Sequence, residues 1–86
     1  MRTARPAAAA AQLEGDDEAA FERLRAWRAG VAREQGVPAY VVFHDATLRD
    51  MAVRRPTSLD ELASIGGVGA AKLERYGAGV LAALEV

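Results

Sequence analysis

The sequence predicts an all-α protein, a compact bundle of about five short helices, and three observations lead to this prediction. Apolar residues recur at helical spacing over most of the chain after residue 17. Residues that favour helix ends flank these stretches. The one strand-like segment, VPAYVVF, has no second segment with which to pair, so as a strand it would leave backbone groups unsatisfied. We therefore expect Val37 to Phe43 to form an extended or 3₁₀ connector that places Val41, Val42 or Phe43 in the core.

Residues 1–17 show neither helical nor strand periodicity and end in the polar cluster EGDD. This composition predicts a linker, a disordered or loosely ordered arm, followed by one helical domain over residues 18–86. A chain of 86 residues can form one small hydrophobic core and no more. An arm in front of a complete small domain suggests that the chain was cut from a longer protein.

The first helix is predicted from Glu18 to Gln35. Asp16 or Asp17 is placed to cap its start, and Gly36 is placed to end it. Its arginines scatter around the helix and form no basic stripe. Its apolar residues do form one stripe, which we expect to face the core: Ala20, Phe21, Leu24, Trp27 and Val31.

A second helix is predicted from about Ala46 to Arg54, with Asp45 as its N-cap and Pro56 beyond its end. Two acid-first pairs at helical spacing support it: Asp45–Arg49 and Asp50–Arg54. Ser58 and Glu61 then form a capping box, which predicts a short third helix. The apolar residues that we expect to point inward from this helix are Leu59, Leu62 and Ile65.

The segment IGGVGAAKLERYG predicts a helix hairpin, in which a glycine-rich turn joins two short helices. The helix after the turn is expected from about Gly69 to Tyr76. Gly77 and Gly79 then indicate a break, because glycine is a poor helix former. A final helix is predicted from Ala78 to about Glu85.

The chain lacks the residues from which catalytic and metal centres are usually built. It has no cysteine and one histidine, His44, to which we assign a surface or capping role. Ser58 is used as a helix cap, and no serine has the visible partners of a catalytic triad. We therefore predict no catalytic residues, no metal ligands and no cofactor, and hence a domain that is not an enzyme by itself.

Hydropathy and charge also limit the kinds of partner that we expect the chain to bind. No apolar run approaches the ~20 residues needed to cross a bilayer, so we expect no membrane contact. The absence of cysteine fits a reducing compartment, and we expect a cytoplasmic protein. The formal net charge is −1, far from the positive balance of a domain that depends on phosphate contacts.

Two features are candidates for nucleic-acid contact. Tyr40 lies out of step with the apolar stripe, so its ring is either an exposed platform for an unpaired base or a ring packed on the bundle. The amides around Gly67, Val68 and Gly69 precede a helix, where they either bind a phosphate oxygen or only permit a sharp turn. The basic residues that could gather into a small patch are Arg54, Arg55, Lys72 and Arg75.

The strings VPAYVVFHDATLRDMA and SLDELASIGGVGAAKLERYG resemble the HRDC domain, the helicase and RNase D C-terminal module, in the form found in bacterial RecQ-family DNA helicases. The resemblance covers about Ala19 to Leu84, and its motifs are long, ordered and correctly spaced. It implies an HRDC-like bundle of about five helices and a non-catalytic role beside a helicase motor. It also implies contact with single-stranded or branched DNA, in the setting of DNA repair and recombination.

The resemblance implies the site residues as well. In the family the aromatic residue at the position of Tyr40 contacts single-stranded DNA, and we add Arg75 as a neighbouring cation. The glycine hairpin with its lysine corresponds to Gly67, Val68, Gly69 and Lys72. DNA-binding members commonly carry extra basic residues on the first helix and after the glycine turn, and this chain has two alanines after the turn. Because residues 18–86 hold nine basic and nine acidic side chains, we expect weak binding at best.

Our leading hypothesis is therefore a monomeric regulatory domain of a RecQ-type DNA helicase, with DNA and the other domains of the parent helicase as partners. The alternative is a protein-interaction module that docks on the parent helicase or on a partner protein. A third interpretation is an accessory domain of an RNase D-type exonuclease, which would shift the substrate to RNA.

Overall fold

The computed structural model describes residues 15–85. Within this range it contains five α-helices and no strand: α1 (Asp16–Gln35), α2 (Ala39–Val42), α3 (Asp45–Arg54), α4 (Leu59–Ala63) and α5 (Ala70–Leu84). The prediction of an all-α bundle of about five helices is confirmed, although the chain is divided among them differently. Most of the predicted arm, residues 1–14, lies outside the described residues, and α1 begins two residues before the expected start of the domain.

Helix α1 begins without a side-chain cap. Gly15 occupies the N-cap position, so the prediction that Asp16 or Asp17 caps the helix is wrong. Both acids lie in the first helical turn, where a carboxylate still interacts favourably with the helix dipole. Asp17 also pairs with Arg55 at 3.0 Å. At the other end Gly36 terminates the helix in the left-handed conformation, with φ of 68°, as predicted.

The core lies where α3 and α5 both pack against α1. Ion pairs near both ends of the α1–α3 contact, Asp17 with Arg55 and Arg28 with Asp45, show that these two helices run antiparallel. The largest fully buried side chains come from every helix and from the residue after α2: Phe43, Leu24, Leu48, Met51, Leu62, Val42 and Val80. Bundle formation therefore rests on aliphatic side chains with one phenylalanine at the centre.

Helix α5 also runs antiparallel to α1, and polar contacts link its middle and its C-terminal end to α1. The Tyr76 hydroxyl donates to Gln35 Oε1 at 3.0 Å, near the end of α1. Arg23, near the start of α1, donates to the carbonyls of Ala83 and Leu84 at 3.1 and 3.3 Å. Carbonyls in the last turn of a helix have no partner within the helix, so this arginine satisfies groups that would otherwise need water.

Three aromatic rings connect α1, α5 and the end of α2. The ring centroids of Trp27 and Phe43 lie 6.2 Å apart, those of Trp27 and Tyr76 6.0 Å, and those of Phe43 and Tyr76 5.7 Å. Tilted and edge-on pairs at such distances contribute about 0.5–1.5 kcal/mol each beyond their burial. Trp27, expected in the core, is partly buried and packs against the core from its rim.

The predicted connector from Val37 to Phe43 contains one helical turn, α2. The expectation of an extended or 3₁₀ segment is therefore wrong for residues 39–42, whereas the absence of a strand is confirmed for this segment. Val42 and Phe43 are fully buried, as expected for a segment that reaches into the core, while Val41 is 43% exposed. A single turn is enough to direct adjacent residues both inward and outward.

The starts of α3 and α4 differ in how they are capped. His44, not Asp45, is the N-cap of α3, and its side chain makes no capping bond, so the predicted Asp45 cap is wrong. In α4 the predicted capping box is present: Ser58 Oγ accepts from the Glu61 amide at 3.2 Å. The Glu61 carboxylate reaches back one residue further than expected, to the amide of Thr57 at 2.7 Å.

The prediction that Leu59, Leu62 and Ile65 all point inward is wrong for Leu59. Leu59 is 48% exposed, whereas Leu62 is 0% and Ile65 2% exposed. Leu59 is the first residue of α4, and its δ carbon lies against Gly77 of α5 at the edge of the bundle. Leu59 therefore contributes only to the rim of the core.

Helix α5 is continuous from Ala70 to Leu84, so the predicted break at Gly77 and Gly79 is wrong. Both glycines allow close packing. An added Cβ at Gly79 would lie 2.8 Å from Nε1 of the Trp27 indole, and one at Gly77 would lie 2.7 Å from Cδ2 of Leu59. Glycine in a helix interior costs roughly 0.5–1 kcal/mol relative to alanine. Here the absence of a side chain lets α5 approach α1 and α4 closely.

Gly79→Ala should lower the free energy of unfolding by about 1–3 kcal/mol, because the new methyl group forces a ring of the aromatic cluster to move. Gly77→Ala is the matched control, since its methyl group meets the far end of a half-exposed leucine that can rotate away. Urea denaturation at neutral pH measures both. Equal losses in the two variants would show that helix propensity, not packing on Trp27, decides this region.

Candidate nucleic-acid interface

Tyr40 projects from α2 into solvent, with 60% of its surface exposed. Its ring stacks on the imidazole of His44, with centroids 6.0 Å apart and planes inclined by 23°. The sequence left two orientations of this tyrosine open, and the structure has the exposed one. His44 is exposed too, consistent with the surface role assigned to it.

The segment that carries Tyr40 is fixed to α1 by Arg28. One guanidinium nitrogen, Nη1, donates to the Phe43 carbonyl at 2.9 Å and lies 2.8 Å from the Asp45 carboxylate. Arg28 is 8% exposed and is the one buried charged residue among residues 15–85. A charge this deep costs several kcal/mol unless it is paired and hydrogen-bonded, and these two acceptors meet that need. Its Nε has no partner within the described residues.

The same arginine controls the ionisation of Asp45. The hydrogen bond from Arg28 lowers the pKa of Asp45 below its ordinary value of 3.8, although desolvation opposes this effect. The positive charges of Arg28, Arg49 and Arg25 lower this pKa further. Asp45 thus stays ionised at the first turn of α3, where a negative charge also interacts favourably with the helix dipole.

The glycine-rich turn has a structural role at its first two predicted site residues. Gly67 has φ of 92°, and an added Cβ there would collide with Oγ1 of Thr47 in α3. Val68 is 8% exposed, and its amide donates to the Ile65 carbonyl at 3.1 Å. The amide of Val68 is therefore occupied within the turn. A turn that packs this closely on α3 explains both residues without a ligand.

Unlike Gly67 and Val68, Gly69 and the first turn of α5 leave backbone amides available for a ligand. Gly69 is the N-cap, with extended backbone angles that any residue can adopt, and an added Cβ would meet open space. The first amide bonded within this helix is that of Leu73, which donates to the Gly69 carbonyl at 2.8 Å. The amides of Ala70, Ala71 and Lys72 precede it and have no helical acceptor. These three amides, with that of Gly69, are the donors available to an anion.

Phe43 links Lys72 of α5 to the segment that carries Tyr40. Lys72 places Nζ 5.4 Å from the Phe43 ring centroid, while Tyr40 and His44 lie three residues before and one residue after Phe43. We call this surface the Tyr40 face and define it by Tyr40, His44, Gly69 and Lys72. Arg75 lies one turn beyond Lys72 on α5, with its guanidinium carbon 5.6 Å from the Tyr76 centroid.

Arg55 does not join this surface, contrary to the idea that it could gather with Lys72 and Arg75. It pairs with Asp17 and lines a groove with Leu81 and Leu84 at the far end of α5. Leu81 lies nine residues after Lys72, which is about 14 Å along the helix axis. The basic component of the Tyr40 face is therefore small.

Residues 15–85 contain no group of three or more metal-ligating side chains arranged around a common point. In the same part of the chain, no helix combines the length and apolar character needed to cross a membrane.

Residues 17–84 match the HRDC domain family, which is four fifths of the chain. The chain belongs to this family. The predicted resemblance is therefore confirmed: the chain is an HRDC domain, a type of accessory domain that RecQ helicases carry. The exposed tyrosine and the glycine turn described above are thus features of an HRDC domain.

Relatives and a solved structure agree with this assignment. The ATP-dependent DNA helicase RecQ of Bacillus subtilis is 52% identical over 69 residues, which are 80% of this chain and 11% of the helicase. The ATP-dependent DNA helicase UvrD2 of Mycobacterium tuberculosis is 51% identical over 65 residues, which are 76% of this chain and 9% of that helicase. The chain thus spans about a tenth of each helicase.

The D. radiodurans RecQ HRDC domain 3 superposes with a TM-score of 0.78 at 38% identity, covering 81% of this chain and 92% of that one. Similarity to both RecQ and UvrD2 means that HRDC domains of this kind accompany helicases with different names.

The buried position of Arg28 was not predicted from the sequence. Its position carried a signal, because Ala20, Leu24, Arg28 and Ala32 follow one another at intervals of four, and all four are buried in α1. An arginine in such a series must find acceptors inside the bundle. The acceptors here are the carbonyl of Phe43, in a segment without helical period, and the carboxylate of Asp45 in another helix, so the sequence could not identify them.

Asp45→Asn should lower the stability of this HRDC domain at neutral pH, because it leaves the Arg28 guanidinium facing a neutral group. Since the pKa of Asp45 is lowered in the folded protein, the ion pair stabilises the fold above the ordinary pKa of 3.8 and loses its effect as pH falls below it. Urea unfolding measures this effect: the difference in free energy of unfolding between the wild type and Asp45→Asn should be smaller near pH 3 than at pH 7. A difference independent of pH would contradict this assignment.

Proposed function

We propose that this HRDC domain acts as an accessory module of a DNA helicase and binds single-stranded or branched DNA weakly. The site residues that we propose are Tyr40, Gly69, Lys72 and Arg75 as direct contacts, with Gly67 and Val68 as the residues that shape the turn. The observation that carries the proposal is the exposed Tyr40 ring on a segment that Arg28 fixes to α1. A rigidly presented aromatic ring is a suitable platform for an unpaired base, and such a stack contributes about 1–3 kcal/mol per base.

The stacking of Tyr40 on His44 supports this role. A base placed on the outer face of the tyrosine extends a stack that already exists, so the ring loses little freedom on binding. Stacking does not depend on the identity of the base, because every base offers a π face. We therefore expect little sequence preference.

Phosphate contacts are proposed at the start of α5. The amides of Gly69 and the first helical turn point out of the helix end, where the dipole favours an anion. Lys72 adds a full positive charge in the same turn, and Arg75 lies one turn further on. Gly69 has no side chain to obstruct a backbone phosphate, although neither its conformation nor its packing requires glycine.

Within this proposal, Gly67 and Val68 act by shaping the turn. The tight fit of Gly67 on Thr47 fixes where α5 begins, and the buried Val68 anchors the turn in the core. Their contribution to DNA binding is then indirect, through the direction in which the amides of α5 point.

Several observations favour weak binding. Of the basic residues, Arg28 is buried, Arg55 pairs with Asp17, and Arg23 is bonded to carbonyls of α5. Few cations therefore remain for phosphates on any one surface. We expect Kd values no tighter than about 10⁻⁴ to 10⁻⁶ M at physiological salt, the range of nonspecific binding.

DNA is favoured over RNA because the RecQ and UvrD2 relatives are both named DNA helicases. An accessory role in an RNase D-type exonuclease is correspondingly less favoured.

A second candidate function is docking on the parent helicase or on a partner protein. Val41, 43% exposed next to Tyr40, gives α2 a small apolar surface that could enter a protein interface. The equal numbers of acidic and basic residues in residues 18–86 also suit a protein partner. Docking should change the unwinding rate of a RecQ-type helicase core when the domain is added, even if the domain binds no free DNA.

Tyr40→Ala should weaken binding to oligothymidylate by about 5- to 150-fold, the equivalent of one lost stack. Tyr40→Phe should bind like the wild type, because it keeps the ring. NMR titration of the labelled domain, followed through backbone amide shifts at low and moderate salt, measures these affinities and locates the contact.

The control is Val53→Ala, which removes an exposed apolar side chain from α3. We expect shifts centred on Tyr40 and residues 67–75 that fade as salt is raised. No shifts even at low salt would refute direct binding and favour docking.

A further inference from the structure

The edge between α1 and α3 carries two arginines around one aromatic ring. The guanidinium carbon of Arg25 lies 5.9 Å from the centroid of Phe21, and that of Arg49 lies 5.5 Å from it. Phe21 and Arg25 belong to α1, whereas Arg49 belongs to α3. The antiparallel packing of the helices thus brings the two cations together, and no sequence pattern relates Arg25 to Arg49.

We propose that Arg25 and Arg49, held by the Phe21 ring, form a second phosphate-binding subsite for the strand that stacks on Tyr40. This proposal rests on the proposed function, since it adds contacts for the same strand. Guanidinium groups suit the task because their planar donors match two phosphate oxygens. Contact with an aromatic ring limits their rotamers before binding, so less entropy is lost when a phosphate arrives.

The subsite lies within reach of a strand bound at Tyr40. The Tyr40 ring stacks on His44, the residue directly before α3, and Arg49 is four residues into the same helix after Asp45. Four helical residues span about 6 Å along the axis. A strand of a few nucleotides can therefore contact both the tyrosine platform and the arginine pair.

Asp45 follows His44 in the chain and precedes Arg49 by one helical turn, so its charge would repel phosphates if it were unpaired. Arg28 lies 2.8 Å from this carboxylate and neutralises it from the side of the core. The positive charges of Arg25 and Arg49 also lower the pKa of Asp45, so both cations act on this carboxylate. The ion pair with Arg28 therefore leaves the outer arginines free to act on a strand.

One nearby acid competes with a phosphate. Glu22 contacts Arg25 at 3.2 Å, with the two side chains 56% and 51% exposed, respectively. Exposed pairs of this kind are weak and are screened by salt, so a phosphate can displace or share the contact. Glu22→Gln should for this reason strengthen strand binding about twofold.

Arg54 provides a matched control for Arg49. Both belong to α3, and five residues separate them, so they point about 140° apart around the helix. Arg54 is exposed and contacts neither Phe21 nor Asp45. Exchanging either arginine for glutamine changes the net charge equally, which separates a local contact from a general electrostatic effect.

The test compares Arg49→Gln with Arg54→Gln by fluorescence anisotropy, using a labelled oligothymidylate of about eight nucleotides over a range of salt. Loss of one phosphate contact should reduce the slope of log K against log salt by about 0.7, and it should weaken binding by about five- to tenfold near 50 mM salt. Arg54→Gln should change both quantities little. With a labelled dinucleotide, too short to span both subsites, Arg49→Gln should bind like wild type.

Equal effects of Arg49→Gln and Arg54→Gln on the longer strand would overturn the second subsite, provided amide spectra show both variants folded. The measurement also separates this proposal from the one on which it rests. If Tyr40→Ala weakens binding while Arg49→Gln behaves like Arg54→Gln, only the arginine subsite fails. If Tyr40→Ala has no effect, the proposed strand contact at the Tyr40 face itself fails.

Discussion

The ion pair and hydrogen bond made by Arg28 hold together the elements that shape the proposed interface. One guanidinium nitrogen contacts both the carbonyl of Phe43, two residues before α3, and the carboxylate of Asp45, the first residue of that helix. Because the chain between α1 and α3 has only one helical turn, it gains little rigidity from its own backbone bonds. Arg28 supplies that rigidity from the neighbouring helix. The position of the segment that carries Tyr40 and the neutralisation of the Asp45 carboxylate both depend on this one buried charge.

Much of the fold follows from local chemistry that a sequence displays directly. The Ser58 capping box and the Gly36 termination were predictable because each depends on residues a few positions apart. The continuity of α5 was not predictable in this way. Gly77 and Gly79 look like helix breakers until the side chains that fill the space beside them are known, and those belong to α4 and α1. Glycine disfavours a helix locally, but tertiary packing decides the outcome.

The candidate site likewise contains residues that the sequence singles out and contacts that it does not reveal. Tyr40 could be singled out because it falls outside the apolar period, yet its exposure depends on how a segment without period packs. Gly67 was recognised as special, but its closest contact, Thr47, lies twenty residues earlier in the chain. The pairing of Arg25 with Arg49 around one ring depends on the antiparallel alignment of two helices. Such contacts between distant residues leave no periodic signal in a single sequence.

The placement of Trp27 has a consequence for spectroscopy. It is the only tryptophan in the chain, and its indole lies against Gly79 while facing the rings of Phe43 and Tyr76. The ammonium group of Lys72 lies 5.4 Å from the centroid of the Phe43 ring in this cluster. Its fluorescence therefore comes from one defined place at the junction of α1, α5 and the segment that carries Tyr40. The domain contains a built-in optical reporter at the point where its helices meet, and its emission can follow that junction without a label.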